Sequence, residues 1–162
     1  MRTSTLAILI LYMTLPLAAD YRHAEVERLI DAQERPAGVV FELIAWEDDS
    51  WNWAAPMLQR QVERLRAAYP GLEIALVSHG YELFDLSLRS GKAGTAPIKR
   101  LEALAGDGVD IHVCGNFAGT RFYEPEDFFA FVDVSASGPA QLEDYVKLGF
   151  VPILLEPPHA SD

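Results

Sequence analysis

The sequence contains a single cysteine, Cys114, in 162 residues. One cysteine excludes a disulfide bond within the chain, so the fold has to be held together by its apolar core. Basic residues are also scarce, because 13 lysines and arginines stand against 24 acidic residues and give a formal net charge of −11. A chain without a basic cluster lacks the electrostatic footprint of a nucleic-acid-binding protein. We therefore expect no nucleic-acid partner.

Several widespread catalytic motifs are absent as well. The sequence has no phosphate-binding loop of the form G-x-x-x-x-G-K-S/T, no dinucleotide-binding G-x-G-x-x-G and no nucleophile elbow G-x-S-x-G. The order of its serines, histidines and aspartates does not indicate a hydrolytic triad. Kinase, dinucleotide-dependent and serine-hydrolase functions therefore have no motif to support them.

Residues 1–19 have the composition of a secretory signal peptide. Arg2 precedes an apolar run from Leu6 to Leu15, and small residues end the segment. The run is shorter than the roughly 20 residues that a membrane-spanning helix needs. We expect this segment to be cleaved, leaving residues 20–162 as one domain that is periplasmic or secreted and not held in a membrane.

The rest of the chain alternates between strand-forming apolar runs and segments with helical spacing. Strands are expected at "GVVFELIAW", "LEIALVS", "VDIHVC", "VDVSASG" and "FVPILLE", with helices between them. Near-continuous apolar strands are typical of a parallel sheet covered on both faces. Pro152 favours an edge position for the last strand. We predict an α/β fold, namely one three-layer α/β/α domain with about five mostly parallel strands.

Candidate functional residues fall where two of these strands end. In an open α/β sheet, ligands bind beyond the carboxyl ends of the strands. His79 follows the second predicted strand, and Cys114 ends the third. A thiolate is a nucleophile, and a helix N-terminus or a neighbouring imidazolium favours this ionised form of a cysteine. Gly115 has no side chain, so backbone groups can approach the sulfur closely. A buried and inert cysteine is the alternative reading.

Two further features of this edge have more than one interpretation. His112 and Cys114 are two residues apart on one strand, so they share a face, and one interpretation joins them with His79 in a His/His/Cys metal site. A packed histidine held by a hydrogen bond is the other interpretation of His112. Three tryptophans follow the first strand and either wall a pocket or pack into the core, namely Trp46, Trp51 and Trp53.

Residues 39–80, 98–116 and 135–154 together resemble the DsrE/DsrF-like sulfur-relay family. The similarity is carried by "VSHG" at the second strand end, by "GVDIHVCGN" around the third strand, and by "SASGPAQL" with the following "GF". The "VCGN" sequence is found in members whose reaction is not assigned. The resemblance implies an α/β/α domain of flavodoxin-like appearance, assembled into trimers or hexamers.

The resemblance also implies roles for individual residues. Cys114 matches the cysteine that accepts sulfane sulfur as a persulfide, and His79 matches the "HG" position near that cysteine, which has no agreed catalytic role. From its position beside Cys114, we expect His79 to tune the thiol or to shuttle protons. Gly80, Gly115 and Asn116 would shape the turns around the sulfur. The implied partners are small sulfur species or a sulfur donor or acceptor protein, with no cofactor. The expected function is an exported sulfur carrier; the alternatives are a binding or assembly module with an inert cysteine, and the small metal-binding protein above.

Overall fold

The structure is a computed structural model that describes residues 23–157. The expected signal peptide lies outside the described residues. Within them, five strands form one sheet in the order β4-β3-β2-β1-β5, and every neighbouring pair is parallel. The strands are β1 Gly38–Leu43, β2 Glu73–Ser78, β3 Val109–Cys114, β4 Asp133–Ser135 and β5 Phe150–Leu154. The predicted α/β fold is confirmed.

Helices lie before the first strand and between the strands, as the alternating pattern predicts. They are α1 Ala24–Ala32, α2 Trp51–Ala68, α3 Ala96–Gly106, α4 Gly115–Gly119 and α5 Gly138–Lys147. Short 3₁₀ helices occupy Tyr81–Leu86, Leu88–Ser90 and Pro125–Asp127. Gly149 has a φ of 88°, a left-handed conformation that glycine adopts readily, and it turns the chain from α5 into β5. None of the helices within residues 23–157 has the length and apolarity needed to cross a membrane.

The two faces of the sheet are covered unequally. Helices α1, α2 and α3 pack on one face over the main core, whose largest buried side chains include Phe41, Leu58, Leu76, Leu101 and Ile111. On the other face, α5 contributes Tyr145 and Leu142 to a smaller cluster with Val40, Ala75, Val77 and Phe150. The second layer is therefore thin, and α5 is the helix that the described residues place there.

The last strand lies at an edge of the sheet, as Pro152 predicts. Strand β5 pairs with β1 on one side, and Pro152 is exposed. The backbone oxygen of Leu154 is engaged by the ring Nε2 of His23, at 2.9 Å. A missing N–H group and a side-chain contact both make this edge a poor template for a further strand.

A buried carboxylate joins the ends of β1 and β2. Glu82 is only 2% exposed, and its oxygens accept hydrogen bonds from the amides of Ala45 at 2.8 Å and Gly80 at 3.0 Å and from the hydroxyl of Ser78 at 2.8 Å. Burial raises the pKa of Glu82, although these hydrogen bonds oppose the effect. A β-carbon on Gly80 would lie 2.4 Å from Oε2 of Glu82 and 2.6 Å from the oxygen of Ala45. Gly80 is therefore a packing requirement of this junction.

The Glu82→Gln variant is expected to be less stable than the native protein by about 1–3 kcal/mol. In this variant the side-chain N–H₂ group would face an N–H or O–H donor whose hydrogen bond a carboxylate oxygen accepts in the native protein. Chemical denaturation measures the free energy of unfolding. The matched control is Glu102→Gln on the exposed side of α3, which should change stability by less than about 0.5 kcal/mol. Equal stability of the two variants would show that the carboxylate is not needed at this junction.

Candidate functional site

His79 and Cys114 are neighbours at the carboxyl edge of the sheet. The register of β2 and β3 pairs Ser78 with Val113, so the residues that follow them, His79 and Cys114, lie side by side. Both contact the start of α5, since a β-carbon on Gly138 would lie 2.7 Å from Cβ of His79 and 3.2 Å from Cβ of Cys114. The structure therefore brings the two predicted catalytic residues together beneath one helix end.

Cys114 is buried. The residue is 5% exposed, and Gly138 packs so closely against His79 and Cys114 that a larger side chain would not fit there. Ser137 caps α5 by accepting a hydrogen bond from the amide of Ala140. The N-terminus of a helix carries partial positive charge, so the covering element favours an anion beneath it. The N-terminus of α5 therefore lies beside a buried cysteine.

A carboxylate that was not predicted from the sequence holds His79. The ring Nε2 of His79 donates a hydrogen bond to Oε1 of Glu42 at 2.8 Å, and both side chains are largely buried. Glu42 lies on β1, on the same face of the sheet as α5. One acidic residue inside the apolar run "VVFELIAW" was the signal in the sequence, because a charged group on an inner strand needs a partner. Glu42 fixes the orientation of the imidazole.

His112 belongs to a separate group of polar contacts, here termed the His112 network. Its Nε2 lies 2.8 Å from the hydroxyl of Tyr145, and its Nδ1 lies 3.2 Å from the hydroxyl of Ser135. Ser135 donates to the side-chain oxygen of Gln141 at 3.1 Å, and Tyr145 donates to Asp110 at 3.4 Å. Since Tyr145 and Gln141 belong to α5, the network ties this helix to β3 and β4.

Burial sets the protonation of the His112 network. Desolvation lowers the pKa of His112, against the opposing charges of Asp133 and Asp110. Desolvation, supported by the charge of Asp110, raises the pKa of Tyr145 to about 12. The imidazole is therefore neutral and the phenol protonated in neutral solution. This is the packed histidine that one interpretation of the sequence anticipated.

The described residues do not assemble a metal site from the predicted ligands. Within residues 23–157, no group of three or more histidine, cysteine, aspartate or glutamate side chains has the geometry to hold a metal ion. Both ring nitrogens of His112 are engaged by Tyr145 and Ser135, and Nε2 of His79 is engaged by Glu42. The His79, His112 and Cys114 alternative thus has no ligand set in this part of the chain.

The segment after Cys114 differs from the expected turn. Gly115 and Asn116 begin the short helix α4, and the amide of Asn116 donates to the oxygen of Ala136 at 3.0 Å. A β-carbon on Gly115 would lie 2.9 Å from the backbone oxygen of Ser135. This close approach and this hydrogen bond dock the first residues of α4 against the end of β4. Gly115 and Asn116 therefore anchor α4, and the side chain of Asn116 is exposed.

Aromatic rings form a continuous surface beside the site. This aromatic surface consists of Trp46, Tyr81, Phe84, Phe117 and Tyr123. The rings of Trp46 and Tyr81 meet edge to face at 5.1 Å between centroids, and those of Phe84 and Tyr123 lie 5.0 Å apart. The guanidinium of Arg121 stacks over Tyr81 at 4.5 Å. Trp46 is 60% exposed, so the surface is accessible at the carboxyl edge.

The three tryptophans separate into different environments. Trp51 is buried and donates from Nε1 to the backbone oxygen of Glu82 at 2.8 Å. Trp53 is partly buried against the main core, whereas Trp46 belongs to the aromatic surface. Core packing therefore accounts for two of them, and the exposed ring is the one nearest the end of β1.

Comparison with known proteins supports the fold and gives no function. No protein-family model and no curated protein matches the chain. Among solved structures, the chain is similar to a protein of unknown function, MTH1491, from Methanobacterium thermoautotrophicum. The two share 25% sequence identity with a TM-score of 0.59, over 72% of this chain and 97% of that one. This similarity supports a shared α/β fold.

The Gly138→Ala variant is expected to expose Cys114, because the added methyl group would collide with His79 and Cys114 and lift the start of α5. Overpacking of this kind costs about 1–3 kcal/mol. The measurement is the rate at which a thiol reagent labels the native protein without denaturant. The control is Gly106→Ala, where a β-carbon meets nothing within 4 Å. Identical labelling of both variants would contradict the contact.

Proposed function

We propose that the protein is a DsrE-like sulfur carrier that holds sulfane sulfur on Cys114 as a persulfide. The observation that carries the proposal is the pairing of Cys114 with His79 at the carboxyl edge of the sheet, beneath the N-terminus of α5. The resemblance of the surrounding sequence to the sulfur-relay family supports the same assignment.

The proposed reaction is an exchange between a thiolate and a sulfur electrophile. The thiolate of Cys114 attacks the terminal sulfur of a polysulfide, and a new bond forms between Sγ and that sulfur. The sulfur–sulfur bond inside the polysulfide breaks, and its electron pair leaves on the shortened polysulfide anion. Atoms and electrons balance within this exchange, so it needs no further oxidant or cofactor. In the transfer step, a thiolate on an acceptor attacks the outer sulfur of the persulfide; the bond between Sγ and that sulfur breaks, and its electron pair leaves on the thiolate of Cys114.

The surrounding residues would assist at defined points. His79, oriented by Glu42, lies beside the sulfur and would accept the thiol proton or return it. The N-terminus of α5 would stabilise the persulfide anion, which keeps a negative charge on its outer sulfur. Gly80, Gly115 and Gly138 would act indirectly, by allowing the close backbone packing that holds the two reactive side chains in place.

The proposal includes an exported protein that assembles with copies of itself. Periplasmic or secreted location follows from the predicted signal peptide, and trimers or hexamers follow from the family resemblance. The aromatic surface offers exposed apolar area for contact with another copy or with a sulfur donor or acceptor protein. Loading by small sulfur species would not require this contact surface.

Incubation of reduced protein with polysulfide is expected to increase its intact mass by about 32 Da, one sulfur atom, and reductant should remove the increase. Intact-mass spectrometry makes the measurement. The Cys114→Ser variant should show no increase, because its hydroxyl cannot form a persulfide. An unchanged mass in native protein whose thiol is shown to react with another reagent would refute the carrier function.

A second candidate function has one observation in its favour. Cys114 is 5% exposed, which suits an inert packing cysteine in a binding or assembly module. Thiol titration in native buffer separates the two candidates. A thiol that reacts only after global unfolding supports the inert cysteine, whereas a thiol that reacts in the folded protein supports the carrier.

A further inference from the structure

Two large apolar side chains stand in solvent at the two ends of the aromatic surface. Trp46 is 60% exposed, and its ring meets that of Tyr81 at one end. Phe122 is 85% exposed and precedes Tyr123, whose ring meets that of Phe84 at the other end. Exposed apolar area of this kind, continuous with packed rings, is typical of a surface that binds another protein.

The backbone holds Phe122 in a conformation that a bulky residue adopts rarely. Its φ of 58° lies in the left-handed region. Arg89 donates to the backbone oxygen of Phe122 from both terminal nitrogens, at 3.3 Å each, and stacks over the ring of Tyr123 at 4.4 Å. Strain of this kind persists where the surrounding structure enforces it, and it is concentrated at functional sites. The fold thus maintains a strained residue whose ring is left exposed.

Charges of both signs border the aromatic surface without a partner. The guanidinium of Arg121 lies over two of its rings, at 4.5 and 5.0 Å from their centroids, and no described carboxylate forms an ion pair with it. Stacking fixes the plane of the guanidinium and leaves its N–H groups for a carboxylate. Glu47 and Asp48 directly follow Trp46, and both are exposed and form no ion pair within residues 23–157.

We propose that this surface binds the same surface of a second copy of the chain in a two-fold contact. Arg121 of each copy would pair with Glu47 and Asp48 of the other copy, and Phe122 would pack against the other copy's Trp46. The proposal rests on the self-assembly that the proposed function includes, and it names the contact. It also favours hexamers over trimers, because a ring of three copies contains no two-fold contact.

The distribution of charge favours a second copy over an unrelated protein as the partner. In a two-fold contact the surface faces itself turned round, so a cation at one place requires an anion at another. The surface meets this requirement, since Arg121 and the pair Glu47 and Asp48 are both present and do not bind each other within one chain. Two copies with a net charge of −11 repel each other at long range. Arg121 supplies a local attraction where the apolar rings meet.

Charge reversal tests the contact by analytical ultracentrifugation. Native protein at micromolar concentration is expected to sediment as a dimer or a hexamer. Arg121→Glu and the double variant Glu47→Lys/Asp48→Lys should each halve that mass, because every pair in the contact becomes a repulsion between like charges. The matched control is Lys99→Glu, an exposed position on α3 outside the aromatic surface. It changes the net charge as Arg121→Glu does and should keep the native mass.

Mixing the two charge variants distinguishes a direct contact from a general effect of charge. A contact between the Arg121→Glu protein and the Glu47→Lys/Asp48→Lys protein again joins opposite charges in both of its pairs. The mixture is therefore expected to regain the native mass, although neither variant does so alone. A native protein that is a monomer or a trimer would overturn the proposal. So would a mixture of folded variants that stays at half the mass, or a Lys99→Glu control that loses mass equally.

A second variant keeps the test decisive if a charge variant fails to fold. Phe122→Asn removes the exposed ring and places at φ 58° a residue type that adopts this conformation more readily. It should halve the mass, whereas Leu148→Asn, which removes a side chain that is 69% exposed outside the surface, should not. Equal masses of these two variants would contradict the contact.

The proposed function and the two-fold contact can fail separately. The persulfide assay reports the mass added to Cys114 in whatever assembly the chain forms. Its failure, together with the expected changes in assembly mass, would reject the sulfur carrier alone. A positive persulfide assay with an assembly mass that no variant changes would reject the contact alone.

Discussion

The close approach of α5 to the sheet at Gly138 is the contact on which the geometry of the carboxyl edge depends. It presses one helix end onto His79 and Cys114 at the same time, and a single β-carbon there would meet both. The contact helps to bury Cys114, and it places the N-terminus of α5, which carries partial positive charge, beside this residue. The burial of the cysteine and its electrostatic surroundings thus both depend on one feature of the backbone.

Two carboxylates on neighbouring segments hold this edge in different ways. Glu82 is buried and accepts three hydrogen bonds from residues that follow or end β1 and β2. It therefore fixes the backbone at the ends of both strands, where His79 lies. Glu42 accepts one hydrogen bond from His79 and fixes the direction of its ring. The first sets the position of the backbone, and the second sets the orientation of the side chain. A chain with a net charge of −11 thus uses two of its acids inside the fold.

The parallel sheet and the placement of His79 and Cys114 were predictable, because apolar runs and strand ends are local features of the sequence. The edge position of β5 was predictable for the same reason, from Pro152. The contacts of Glu42, Glu82 and Tyr145 were not, because each joins residues brought together by the register of the strands or by the docking of α5. Helix α4 was not predicted, because the glycine that begins it is also typical of a turn. Its packing against Ser135 is a tertiary contact, which a local sequence pattern does not show.

A covered cysteine and a sulfur-transfer reaction place opposite demands on the same residue. In the proposed function, a persulfide exposed in an oxidising compartment would be open to oxidation, and burial would protect the sulfur between transfers. Transfer requires a direct approach of a second sulfur along the bond that breaks, whereas Cys114 is only 5% exposed. In the proposed function, different states of the site therefore meet the two demands. The packing of Gly138 against Cys114 protects the sulfur, and transfer needs that packing to loosen.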